Sequence, residues 1–153
     1  MEIERKYLIK KESLPQNLNT FPHLEIEQAY LCTEPVVRIR RQDSSYYLTY
    51  KSKGLMVREE YNLPLTEESY CHLREKADGI LIQKTRYQLP LPQNLTIELD
   101  VFHGRYEGLL LAEVEFPHEA SAQEFTPPDW FGEDVTFSSR YHNSTLSQGL
   151  SHI

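Results

Sequence analysis

The chain has 153 residues, a quarter of them charged, with 23 acidic side chains against 16 basic ones and a net charge of −7. That length favours one domain spanning 1–153 with enough interior to fold without staples, and the acidity argues against a nucleic-acid or anionic-membrane surface, because unspecific phosphate binding shows as overall basicity. No run approaches the roughly 18 apolar residues of a membrane span, and the charged start lacks the apolar centre of a signal peptide, so a cytoplasmic protein is expected.

The opening "MEIERKYLIK" sorts at period two into Ile3, Arg5, Tyr7 and Ile9 against Glu2, Glu4, Lys6 and Leu8. This predicts a strand over 1–10 with one ionic face. "KESLPQNL" is a short helix candidate. Strands are expected next over 24–33, 36–42, 46–53 and 56–63, joined by turn segments such as "QDSS" and "KSKGL". "TEESYCHLREKA" predicts a helix entered at Thr66, an N-cap threonine followed by acidic residues in the first turn. Strands over 80–90, 94–103 and 109–117 follow, rich in Tyr, Ile, Val and Leu. "HEASAQEF" and the tail "RYHNSTLSQGL" are further helix candidates, and the Pro-rich "QLPLPQNL" and "FTPPDWFGED" mark connections. The fold class is α+β, mainly antiparallel β, with eight strands. Cys32 and Cys71 lack metal-ligand spacing and read as free thiols, and the six scattered histidines argue against zinc.

The polar face of these strands is ionic rather than merely hydrophilic. Arg38 and Arg40 alternate with Val37 and Ile39, and Lys51 and Lys53 oppose Leu48 and Tyr50. Arg58 and Glu60 oppose Val57 and Tyr61, while Lys84 and Arg86 oppose Thr85, Tyr87 and Leu89. Glu98 and Asp100 lie against Ile97, Leu99 and Val101, and Glu113 and Glu115 against Ala112, Val114 and Phe116. One such strand ordinarily shows its charges to solvent. Seven of them leave few residues for a second layer, and like charges come in blocks where a solvated surface would mix signs. The alternative is a closed barrel with the ionic faces lining a wet lumen and short helices covering an apolar exterior. Dry burial is excluded, since several kcal/mol per ion over a dozen ions exceeds the roughly 5–15 kcal/mol of stability of a domain.

The blocks have complementary chemistry. Glu2 and Glu4 stand roughly 7 Å apart on one strand face, and Glu113 and Glu115 repeat the spacing. Hard carboxylates without His or Cys suit Mg2+ or Mn2+. The basic blocks match a compact oligophosphate, and with neither GxxxxGK nor GxGxxG present, side chains must do the binding.

"EIERK", "QAYL", "VRIRR", "YLTYKSK", "REEY", "KTRY", "ELDVF", "GLLLAEVEF" and "DVTFSSRYHN", in that order, resemble the blocks of the CYTH superfamily, the triphosphate tunnel metalloenzymes, over about residues 1–146. The resemblance implies an eight-stranded antiparallel tunnel that binds triphosphate, with Glu2, Glu4, Glu113 and Glu115 around a divalent metal. It implies phosphate binding by Lys6, Arg38, Arg40, Lys51, Lys53, Arg58, Lys84, Arg86 and Arg140, and supporting roles for Glu60, Glu98 and Asp100. Glu4, with a Lys6 and Tyr30 pair helping to prepare the attacking water, completes the implied catalytic set. The expected function is a metal-dependent inorganic triphosphatase of the bacterial branch acting on a small triphosphate. The alternatives are a class IV adenylate cyclase, a nucleoside or thiamine triphosphatase, or a noncatalytic polyphosphate-binding module. Nothing in the sequence fixes an oligomeric state.

Overall fold

A computed structural model describes residues 1–149; Leu150, the last residue of the tail helix candidate, lies outside them. Nine strands form in chain order: β1 (Glu2–Leu8), β2 (His23–Thr33), β3 (Val36–Gln42), β4 (Ser45–Lys51), β5 (Val57–Arg58), β6 (Glu60–Pro64), β7 (Asp78–Pro90), β8 (Thr96–His103) and β9 (Leu110–Glu115). They make one antiparallel sheet ordered β5-β1-β9-β8-β7-β2-β3-β4-β6.

The two edges of that sheet are consecutive in the chain, separated only by Glu59. The single strand expected over 56–63 therefore divides: β5 pairs with β1, and β6 pairs with β4. Glu59 donates its amide to Ser52 Oγ (2.9 Å), and its carbonyl accepts from the Ser52 amide (3.0 Å). The count thus rises from eight to nine, and the covalent chain joins the sheet's edges into a nearly closed barrel, leaving little free edge.

Apolar side chains coat the outside. Ile3, Ile97, Leu99, Ala112 and Val114 pack beneath Leu14, Leu18, Phe21, Phe125 and Phe131. On the β2–β4 wall, Ala29 and Ile39 pack beneath Tyr70 and Leu73 of α1 (Glu67–Arg74). Thr66 starts α1 as the sequence predicts, with Thr66 Oγ1 accepting from the Ser69 amide (3.0 Å) and Ser69 Oγ from the Thr66 amide (2.9 Å), a reciprocal cap. The early helix candidate is corrected to two 3-10 turns, Lys11–Ser13 and Leu18–Thr20. Pro15 lies between them and lacks the amide that a continuous helix requires. Short helices α2 (Glu119–Glu124) and α3 (Asn143–Ser147) follow the last strand.

The lumen is not ionic along its whole length. Leu8, Ile82, Phe102 and Leu111 each follow or precede an inward ionic residue by two positions, and they pack with Val135 and with Leu146 of α3. α3 therefore stoppers one end of the barrel. Gly79, at φ +77°, makes this possible, since a Cβ there would stand 2.2 Å from the Ser147 carbonyl oxygen. Gly79→Ala is expected to lift α3 from the barrel and cost about 1–3 kcal/mol, read as a melting midpoint lower by roughly 2–4 °C per kcal/mol.

Candidate active site: a charge-lined lumen

The alternation along the strands brings fourteen of the sequence-predicted residues to one cavity of about 330 Å3: Glu2, Glu4, Lys6, Tyr30, Arg38, Arg40, Lys51, Arg58, Glu60, Lys84, Arg86, Glu98, Glu113 and Glu115. Asp100 stands behind them, fully buried, accepting from Lys84 Nζ (2.7 Å) and Arg86 Nε (2.7 Å). Lys53 is elsewhere. β4 ends at Lys51, so period-two inference stops there, and Lys53 lies on an outer loop with its side chain 79% exposed beside Glu34 (3.0 Å). Arg140 does not line the cavity; its exposed guanidinium lies over the Tyr141 ring (5.5 Å).

Thr49, Asn62, His142 and Asn143 also line the lumen, although the sequence reading did not select them. Thr49 and Asn62 share strand faces with Lys51 and Glu60, so their side was readable but a neutral residue drew no attention. His142 and Asn143 precede or open a five-residue helix in an irregular segment, where no periodicity points inward.

Most lumenal ions neutralise one another. Lys51 Nζ sits between Glu2 (3.0 Å) and Glu60 (3.2 Å), with Arg58 also on Glu2 (3.6 Å). Arg86 engages Asp100, Glu98 (3.2 Å) and Glu113 (3.6 Å), and Lys6 lies 3.9 Å from Glu113. Two pairs of charges are left over among the described residues. Arg38 and Arg40 on β3 have no carboxylate partner: Arg38 reaches only Thr49 Oγ1 (3.4 Å) with its Nε unpartnered, and Arg40 Nε donates to Gln28 Oε1 (2.9 Å). Glu4 and Glu115, register partners on β1 and β9, have no cation within ion-pair distance.

The electrostatics follow from this imbalance. Burial, then Glu113 and Glu2, raise Glu4 well above the ordinary glutamate value, and burial with Glu2, Glu60 and Glu98 raises Glu115. Burial would also raise Glu113, but Lys6, Arg86 and Lys84 outweigh it and hold that carboxyl well below the usual range. The two carboxyls are thus pushed in opposite directions. Glu60 is likewise brought to about 2 by Lys51 against the effect of burial. Among the bases, burial and the neighbouring arginines bring Arg40 to about 9, and burial brings Lys84 to about 7 despite Asp100. Burial, Lys6 and Arg58 bring His142 to about 3, so it is neutral at physiological pH.

An anion entering this lumen opposes the depression of Lys84, so metal-free binding of tripolyphosphate near pH 8 is expected to take up a proton. Affinity then falls as pH rises above about 7, where free Lys84 loses its charge. Calorimetry in buffers of different ionisation enthalpy measures the uptake; a binding enthalpy independent of buffer would contradict it.

The carboxylates fit a hard divalent cation. Glu4 and Glu115 are register partners that both line the lumen, each raised by burial and by other glutamates, and a +2 ion is the species that would let both ionise. Among the described residues no three His, Cys, Asp or Glu side chains already converge as a ligand set. Glu2 and Glu113 instead lean towards lysine and arginine.

An antiparallel barrel that gathers its ions in one lumen, closed at one end by an apolar stopper and coated outside by aliphatic residues, has the form of a site for a small, highly charged ligand. The chain belongs to the CYTH family, whose domain model matches residues 1–148. An inorganic triphosphatase of Nitrosomonas europaea is 40% identical, covering 97% of this chain and 98% of its own length. One from Acetivibrio thermocellus is 35% identical, with 95% and 92% covered. A crystal structure of an inorganic triphosphatase, 37% identical, superposes with a TM-score of 0.71 and covers 99% of this chain and 96% of that one.

Proposed function

We propose that this chain is a divalent-metal-dependent inorganic triphosphatase that hydrolyses tripolyphosphate to pyrophosphate and orthophosphate. The observation that carries the reading is the leftover charge of the lumen: among the described residues, two arginines without an anion and two glutamates without a cation share one cavity of about 330 Å3. A metal triphosphate brings both missing partners. The two curated relatives described above add support, since both bear the name inorganic triphosphatase.

Arg38 and Arg40 bind phosphoryl oxygens from the β3 wall, and Lys84 and Arg86 bind them from β7, with Asp100 and Glu98 holding the last two in place. Lys51 and Arg58, steadied by Glu2 and Glu60, serve the chain's other end. Mg2+ or Mn2+ would be held by Glu4 and Glu115, with Glu2 and Glu113 joining only by leaving their lysine and arginine partners, and would supply charge neutralisation at the phosphoryl oxygens. Phosphoryl transfer through a loose transition state needs little base strength and much positioning. Lys6 and Tyr30, both buried at the lumen wall, are the amine and hydroxyl that orient the attacking water. They do so from separate places, Lys6 beside Glu113 and Tyr30 beside Arg38, with no hydrogen bond between them among the described residues.

A cytoplasmic location goes with this reading, since the unpaired, exposed thiols of Cys32 and Cys71 suit a reducing compartment. No helix among the described residues is long and apolar enough to cross a membrane. The test is phosphate release from tripolyphosphate and from ATP, with Mg2+ or Mn2+ and with a chelator. Faster release from tripolyphosphate, abolished by chelation, is expected; cyclic AMP as the main product from ATP would assign the cyclase instead, and binding without turnover a noncatalytic module.

A further inference from the structure

Gln28 is completely buried on β2, between β3 and β7, where a primary amide needs partners for both its oxygen and its nitrogen. Its Oε1 accepts from Arg40 Nε (2.9 Å) and its Nε2 donates to Asn143 Oδ1 (3.0 Å). Asn143 Oδ1 accepts a second hydrogen bond, from Lys84 Nζ (3.2 Å). Chemistry fixes the direction of every link. Guanidinium and ammonium groups only donate, so Gln28 must turn its oxygen to Arg40, which leaves its nitrogen for Asn143. Asn143 must then present its oxygen to Gln28 and Lys84 alike. A nearby contact has the same sense: Lys6 Nζ donates to the Tyr141 carbonyl (3.3 Å), so the segment entering α3 accepts from two lumenal lysines.

We propose that Gln28 and Asn143 are positioning residues, a two-amide relay that aims Arg40 and Lys84 at the phosphates and makes the docked α3 part of the anion site. The inference rests on the lumen being an anion site. Neither amide needs to touch the reacting atoms. Among the described residues Arg40 has Gln28 as its one side-chain hydrogen-bond partner and no carboxylate within ion-pair distance, and Lys84 is held between Asp100 and Asn143. The relay also explains why a polar asparagine opens a helix whose buried residue Leu146 joins the apolar stopper.

Two replacements at Asn143 separate the relay from packing. Asn143→Asp keeps an acceptor for both Gln28 and Lys84, whereas Asn143→Leu keeps the volume and removes the acceptor. If Asn143 acts through the relay, the aspartate variant retains kcat within about threefold and raises KM by added negative charge, while the leucine variant loses kcat by about tenfold or more. If Asn143 merely fills space, leucine is the milder change. Gln28→Ala completes a double-mutant cycle with Asn143→Leu, read both in kcat/KM and in calorimetric binding of metal-free tripolyphosphate. The relay predicts that the double variant is hardly weaker than the worse single variant. Additive losses, or a leucine variant as active as wild type, would overturn it. Should Gln28→Ala fail to fold, the Asn143 comparison alone decides. A wild-type protein that binds tripolyphosphate without hydrolysing it would sink the proposed function, yet the binding cycle would still test the relay.

Discussion

Arg40→Ala is expected to lower kcat/KM for tripolyphosphate on the order of 10³-fold, the scale at which a charge-stabilising arginine contributes to phosphoryl transfer. The side chain lines the lumen, has no carboxylate within ion-pair distance among the described residues and is brought down to about 9 by burial and by Arg38 and Arg86. Such a cation is a burden on the empty barrel, so its loss leaves the metal-free melting midpoint unchanged or higher. Activity and stability thus move in opposite directions, which a residue that merely holds the fold would not produce. Arg40→Lys retains charge but loses the fork and the bond to Gln28, and is expected to recover only part of the activity. Steady-state kinetics and thermal denaturation on the three proteins decide this, and an alanine variant within tenfold of wild type would refute it.

Glu4→Gln and Glu115→Gln are each expected to bring hydrolysis to background at any Mg2+ or Mn2+ concentration, and to remove the rise in melting midpoint that either ion is expected to give the wild type. The pH dependence has a definite sign. Glu4 is raised in the fold from its ordinary 4.5, so the stabilisation from its proton is fully present below about pH 4.5 and is lost as pH rises through the higher folded value. The metal-free wild type should therefore lose this contribution as pH rises through that folded value, whereas Glu4→Gln, which cannot ionise, should not. A divalent ion bound there would displace the proton from Glu4, so metal affinity should increase with pH over the same range. Melting midpoints from pH 5 to 8, with and without Mn2+, measure both effects. A metal-induced rise that survives in Glu4→Gln would remove Glu4 from the ligand set.

Some of this was legible because alternation in an extended chain is local. Glu2, Glu4 and Lys6 face one way whatever pairs with β1, and Lys84 with Arg86 do the same on β7. Thr66 announced α1 because a capping residue acts within one turn. Lys53 was misplaced because alternation has meaning only while the strand continues, and β4 stops two residues earlier. The one-residue interruption at Glu59 was invisible for a related reason: the residues on either side still read as strand, and only their different partners divide them.

The sequence by itself determined which strand faces are ionic, and that so many ions need a wet interior, since the spacing of side chains and the desolvation of charge depend on local geometry and chemistry alone. Only the tertiary structure decided which of those charges cancel. Lys51 meets Glu2 across 49 residues and Lys6 meets Glu113 across the β1–β9 pairing, while Arg38, Arg40, Glu4 and Glu115 have no oppositely charged partner within ion-pair distance among the described residues. It also decided that α3 closes one end and carries Asn143 to Lys84. Those outcomes depend on register around a closed sheet and on an irregular tail, and neither leaves a periodic trace in the chain.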